Sequence, residues 1–165
     1  MKFLILSLLL YYNMSLASDT SLVSLRRSYY DSAESSTSAS RFLQITRNIG
    51  TESDPVLLCY KGMAFMLQAK HSFNPYKKLA YFNTGKTWLE GAVKKDPENI
   101  EIRFMRFCIQ TNTPFFLGYS NETIADKNMI LEHYSNIKDQ DLKSKIREYM
   151  VSSSYCSENE KALLK

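Results

Sequence analysis

Three steps from an Asx residue to proline, Asp54-Pro55, Asn74-Pro75 and Asp96-Pro97, stand 20 and 22 residues apart. Aspartate and asparagine accept the backbone N–H groups that a helix leaves orphaned at its start. Proline in the following position has its φ already helical and lacks an N–H that the first turn does not use. Each interval leaves room for one helix and a short turn. The spacing therefore predicts an all-α chain of stacked antiparallel helical hairpins, a right-handed array of about six to seven helices.

The segments between these steps carry the matching periodicity. From Val56 to His71 nearly every position is apolar, interrupted only by Lys61, Gln68 and Lys70, as in a helix buried on several sides. Gly62 lies inside it at a cost of about 1 kcal/mol relative to alanine, so close approach of a neighbouring helix is expected there. Over Pro75 to Lys95, Leu79, Phe82, Gly85, Leu89 and Ala92 form one stripe, and Trp88 and Leu89 are expected to be buried against the central helix. Asp96 is expected to cap the next helix by accepting the backbone N–H of Glu98 or Asn99. Asn99, Arg103, Arg106 and Gln110 form a polar stripe on that helix.

The flanks are less regular. Leu22 to Tyr30 is followed by Asp31-x-x-Glu34, which has the form of a capping box. A break is expected within Ser35 to Ser40, where helix formers are scarce. Helical spacing resumes at Phe42, Leu43, Ile45 and Ile49, and Gly50 suits the left-handed position past a helix end. Thr113-Pro114 opens a short aromatic turn, Phe115 to Leu117, ending at Gly118. Thr123-x-x-Asp126 starts a helix to Tyr134, and a last helix from Asp139 turns Leu142, Ile146, Tyr149 and Met150 inward. Ser152 to Lys165 is polar and expected to fray.

The N-terminus points to export. Lys2, the apolar run Phe3 to Tyr12 and the small-x-small site Ser15-Leu16-Ala17 predict a signal peptide over residues 1–17. That run is about half the ~20 residues a transmembrane helix needs, so the mature chain is expected to have no stable membrane span. A single helical domain over 18–152 and a polar tail over 153–165 complete the division, with a periplasmic or extracellular location. Removing the signal peptide takes away Lys2 and lowers the formal charge from +4 to +3. The basic residues are scattered among acidic ones, so no nucleic-acid partner is expected. Three widely spaced cysteines, Cys59, Cys108 and Cys156, do not make a dense disulfide framework. Cys59 and Cys108 fall on apolar faces and are expected as buried thiols, a bridge between them being the alternative.

Ala92-x-x-x-x-Pro97, with Gly62 and Phe65 at matching separation, resembles one unit of the tetratricopeptide pattern. The run from Tyr76-Lys77-Lys78-Leu79 through Lys95-Asp96-Pro97-Glu98-Asn99 and Ile100-Glu101-Ile102-Arg103-Phe104 to Phe116-Leu117-Gly118-Tyr119 resembles an uncharacterised family of small exported helical proteins of Gram-negative bacteria. That resemblance covers roughly residues 20 to 150. It implies a tetratricopeptide-like fold and an exported location, and it brings no active site.

Motifs of chemistry are weak. Gly85-Lys86-Thr87 ends like a phosphate-binding loop, but Ala80 stands where the motif needs glycine and the triplet is predicted mid-helix. His71 and His133 have no second ligand at helical metal spacing, and no G-x-S-x-G elbow surrounds a serine. Asn121-Glu122-Thr123 matches a glycosylation sequon, which reads simply as a helix start if the source is bacterial, as the resemblance implies. Asp96, Glu98 and Glu101 as a cation-binding cluster is the rival to the capping reading. No catalytic, cofactor or metal residues are assigned, and no enzyme is expected. The unusual feature is aromatic content, with 11 Tyr, 9 Phe and 1 Trp. Tyr76, Tyr81, Trp88, Phe115, Phe116 and Tyr119, together with Arg103 and Arg106, are the candidate interaction surface. The expected function is a scaffold that binds a protein or peptide. The alternative is a carrier of a small apolar ligand in a pocket walled by Phe and Met, and a hydrolase comes third.

Overall fold

The computed structural model describes residues 22–164, so the expected signal peptide lies outside the described residues. The chain is all-α, with no strand among the described residues. The helices are α1 (22–32), α2 (Ser36–Ile45), α3 (Pro55–His71), α4 (Pro75–Lys95), α5 (Ile100–Asn112), α6 (Thr123–His133), α7 (Gln140–Ser152) and α8 (Glu158–Ala162). Two 3₁₀ turns, Phe115–Leu117 and Tyr134–Asn136, lie between them.

Two of the three Asx-proline steps start helices as expected. Asp54 accepts from Val56 N–H at 2.8 Å and Asn74 from Lys77 N–H at 3.1 Å, each with proline in the first turn. The third does not. Asp96 closes α4, its N–H donating to Ala92 O, and the side chain of Asn99 caps α5 through Ile102 N–H at 3.3 Å. Asp96 instead accepts from Asn99 Nδ2 at 3.0 Å, so it steadies the residue that does the capping. Pro97 thus lies in the linker, where its ring cannot continue α4.

Other local expectations also shift. Ser35 rather than Asp31 caps α2, and the break falls at 33–35. Gly50 lies beyond the end of α2, and the left-handed backbone occurs at Gly118 (φ 58°), where it closes the aromatic turn. Thr123 does not cap α6; its hydroxyl donates to Gln110, and Asp126 is drawn away to arginines of α5. The tail is not wholly frayed: Ser157 and Glu160 form a capping box for α8, and Cys156 and Leu164 are buried.

α3 and α4 are an antiparallel pair, as the meetings of Gly62 with Leu89 and of Phe65 with Tyr81 show. At the crossing, a Cβ on Gly62 would stand 2.9 Å from Gly85 O, and one on Gly85 2.9 Å from Gly62 O. The absence of both side chains permits this approach, which offsets the helix cost of glycine. Leu89 is fully buried there, while Trp88 is half-buried beneath Lys61 Nζ, 4.4 Å from its ring centre. α5 and α6 are likewise antiparallel, since Arg106 meets Asp126 and Gln110 meets Thr123.

α5 joins two cores. Ile102 and Met105 pack with Phe42, Tyr60, Met63 and Leu89 on one side; Phe104 and Phe107 pack with Ile130, Ile146 and Met150 on the other. α7 turns Leu142, Ile146 and Met150 into this second core, as its spacing predicts.

Candidate functional site

Where these two cores meet a third cluster of Met66, Ala69, Phe82 and Tyr119, the ends of α1 and α3, the start of α4, and α5 and α7 line a cleft of about 1000 Å³. Buried Met66, Leu67, Phe82, Phe104 and Met105 form its floor. Tyr29 and Tyr30 of α1 and Tyr149 of α7 contribute to its walls. At the mouth stand Lys70, Lys78, Leu79, Phe116 and, from α7, Lys145 and Glu148.

The walls are set by ion pairs beneath them. Arg26 is buried and donates to both oxygens of Glu101 at 2.9 and 3.0 Å, to Asp139 at 2.9 Å and to Asp141 at 2.6 Å. Tyr60 donates to the same Glu101 at 2.7 Å. This clamp ties α1 to α5 and to the start of α7 and so holds Tyr29 and Tyr30, one turn along, against the cleft. Burial alone would pull the Arg26 pKa down, but the bonds to Glu101, Asp139 and Asp141 outweigh it and raise the value. The same contact lowers Asp139 against the opposing effect of its burial.

The thiol and the phenols of the cleft are held neutral. Burial raises the Cys108 thiol well above its ordinary range and does the same for the Tyr29 phenol; Tyr30 and Tyr149 are also raised, burial being the main cause. A thiol needs its thiolate to attack, so Cys108 is a weak nucleophile here. Tyr149 Oη shares a 2.6 Å hydrogen bond with Thr111 and accepts from Asn112, which directs its polar tip along the α5 wall. Lys145 lies 3.4 Å from Glu148 and 4.8 Å from the Tyr30 ring centre, and Lys70 donates to Ala33 O at 2.9 Å. Lys78 has no ion-pair partner among the described residues.

The sequence-predicted surface is not one face. Tyr76, Phe115 and Phe116 are exposed, and Phe116 joins the cleft mouth. Tyr81 is half-buried against Phe65, and Trp88 is half-buried under Lys61. Arg103, Arg106 and Tyr119 are structural. Asp126, fully buried, accepts from Arg106 at 2.7 and 2.8 Å and from Arg103 at 2.7 Å. Arg106 also donates to Glu90 at 2.9 Å, and Tyr119 donates to the other oxygen of Glu90 at 2.5 Å. These arginines already have their carboxylates, which removes them from the interaction surface.

The rival acidic cluster also comes apart, because Glu101 faces Arg26 while Asp96 faces Asn99. Among the described residues, no three His, Cys, Asp or Glu side chains are placed to hold a metal. Gly85-Lys86-Thr87 lies within α4, where backbone N–H groups are already engaged by the helix. Cys59, Cys108 and Cys156 are all free thiols. The lysines of the mouth were missed in the sequence reading, although a signal existed. Between Asp54 and Glu90 the chain has five lysines and no carboxylate side chain.

No family model matches the chain, and neither a curated protein nor a solved structure matches it.

Proposed function

We propose that the chain is an exported, non-catalytic binding protein that carries the apolar body of a small ligand in the cleft between α1, α3, α4, α5 and α7. The observation that carries this reading is the cleft itself, about 1000 Å³ with a floor of Met and Phe side chains. That is at the upper end of the ~300–1,000 Å³ of ordinary ligand sites. The walls are largely helices, whose backbone groups are bonded internally, so an extended peptide would find no sheet edge to satisfy its own backbone. A hydrocarbon chain makes no such demand.

A protein helix laid in the cleft is the second reading. It is favoured by the open mouth, where Leu79 and Phe116 are exposed, and a helix brings its backbone bonds with it.

Neutral straight-chain alcohols, octanol to dodecanol, displacing a fluorescent naphthylamine probe, test the carrier reading. Burial of one methylene is worth about 0.8 kcal/mol, so affinity should rise ~4-fold per carbon until the cleft is full. Failure of the probe to bind, or affinities indifferent to chain length, would overturn it. A partner captured from the envelope fraction and released by saturating dodecanol would establish the helix reading in its place.

A further inference from the structure

We propose that the rim made by the α3–α4 turn and the 113–117 segment docks onto an anionic lipid bilayer. Phe73 at the turn is fully exposed, and Tyr76 follows it in the first turn of α4 at 84%. Across the cleft mouth, which Pro75 and Phe116 both line, Phe116 is 83% exposed and its chain neighbour Phe115 89%. Four large exposed aromatic rings thus lie on two segments that meet at one cleft mouth, an amount of apolar surface that water does not favour.

The charge around them is predominantly positive. Lys70, Lys77 and Lys78 are exposed on α3 and α4, on either side of the turn that holds Phe73. The stretch from Pro55 to Leu89 contains no Asp or Glu, and Thr111 to Asn121 contains no charged residue at all. The acid at this mouth, Glu148 on α7, is engaged by Lys145. Phenylalanine and tyrosine flanked by lysine suit the boundary between headgroups and acyl chains: the rings enter the interface while the ammonium groups meet lipid phosphates. A protein partner for a surface of this charge would have to combine an apolar patch with a strongly acidic border. An anionic bilayer offers both everywhere. No described helix is long and apolar enough to cross a membrane, so the contact is peripheral.

Docking stands apart from the cleft cargo, because the residues that would touch lipid lie outside the cleft floor. The test is co-sedimentation of the full chain with vesicles of phosphatidylglycerol and phosphatidylcholine in equal parts, and with phosphatidylcholine alone, at low and high salt. Capture by the anionic vesicles, weakened by salt and slight on the neutral ones, is expected. Each lysine at an anionic surface is worth about a fivefold change in affinity, so Lys77→Ala with Lys78→Ala should weaken capture ~25-fold. Phe115→Ser with Phe116→Ser should also release the protein while leaving its melting temperature unchanged, since both rings are exposed. No capture, equal capture by both vesicle types, or variants that bind like the parent would overturn the proposal. A dimer in sedimentation velocity that the Phe115→Ser, Phe116→Ser variant disperses, with no vesicle capture, would assign the face to a second copy instead. Alkanol binding is measured without vesicles, so the carrier reading stands or falls separately.

Discussion

The α3–α4 pair and the α5–α6 pair are both antiparallel, yet opposite means hold them together. α3 and α4 touch through missing side chains: Gly62 and Gly85 let the backbones meet, with Leu89 and Met66 closing around them. α5 and α6 touch through charge, with Asp126 buried between Arg103 and Arg106. Steric contact tolerates no added atom, whereas an ionic seam tolerates no removed partner. The difference also bears on the cleft, because the arginines are consumed in the α5–α6 seam while Lys70 and Lys78 of the α3–α4 hairpin stand exposed at the cleft mouth without a carboxylate partner among the described residues.

The largest effect should come from the ionic seam. Asp126→Ala strands two guanidinium groups, one of them almost completely buried. Breaking such a pair costs about 3–5 kcal/mol. Glu90 still accepts from Arg106, so the lower end is expected. Urea denaturation should show that loss, and Asp126→Asn should lose less because it keeps an acceptor. A loss below about 1 kcal/mol, the value of an exposed pair, would mean that the seam is solvated and the contrast between the two pairs is false.

The steric pair should respond to addition. Gly62→Ala would place a methyl 2.9 Å from Gly85 O and 3.0 Å from Leu89 N, both backbone atoms that cannot swing away. Overpacking costs about 1–3 kcal/mol, of which the better helix propensity of alanine returns up to about 1. A net loss of roughly 1–2 kcal/mol is expected. Gly91 in the same helix α4 meets nothing within 4 Å of its would-be Cβ, so Gly91→Ala should stabilise by up to about 1 kcal/mol. Equal responses at the two glycines in denaturant titrations would remove the steric explanation.

How much the sequence disclosed follows the same division. Properties decided within a few residues were legible: the all-α class, the caps at Asp54 and Asn74, the inward face of α7, and the close approach at Gly62. Leu89 was legible because a buried stripe repeats every three or four positions. Asp96 misled because its cap-plus-proline signal is local, while the chain needed an extra linker turn before α5 and used Asn99. Arg103 and Arg106 misled for a different reason. Their partner Asp126 is 20 residues beyond Arg106, and a helical stripe of arginine looks the same whether it faces water or a buried carboxylate. The cleft is legible in the sequence only as a kind of pocket, since its walls come from five helices, three of which are tied together by the long-range Arg26 clamp. The final turn α8 was read as tail because its sequence is polar, though Ser157 and Glu160 carry the form of a capping box.

The smallest expected effect concerns a second ionic tie to α6, adjacent to the buried one but more exposed. Lys127 follows Asp126 in the chain and meets Glu160 of α8 at 2.7 Å. The bond from Lys127, with that from Ser157 N–H, lowers the Glu160 pKa to about 2 from an ordinary 4.5. A carboxylate whose pKa is depressed by folding contributes stability above its unfolded value and surrenders it as pH falls through the folded one. The tie should therefore be fully present above about pH 4.5 and lost towards about pH 2. Glu160 keeps a quarter of its side chain in water, so the tie is worth less than the fully buried seam and global unfolding should register it least. A local probe will: Leu164 is buried in the second core just past α8, and its methyl resonances should shift across that window as α8 loosens. Glu160→Gln should place the same resonances near their low-pH positions already at neutral pH. If the methyl shifts instead stay constant across the window in the parent chain, α8 is held by its apolar contacts alone. The contrast between the fully buried and the partly buried ion pairs on α6 would then lose its second member.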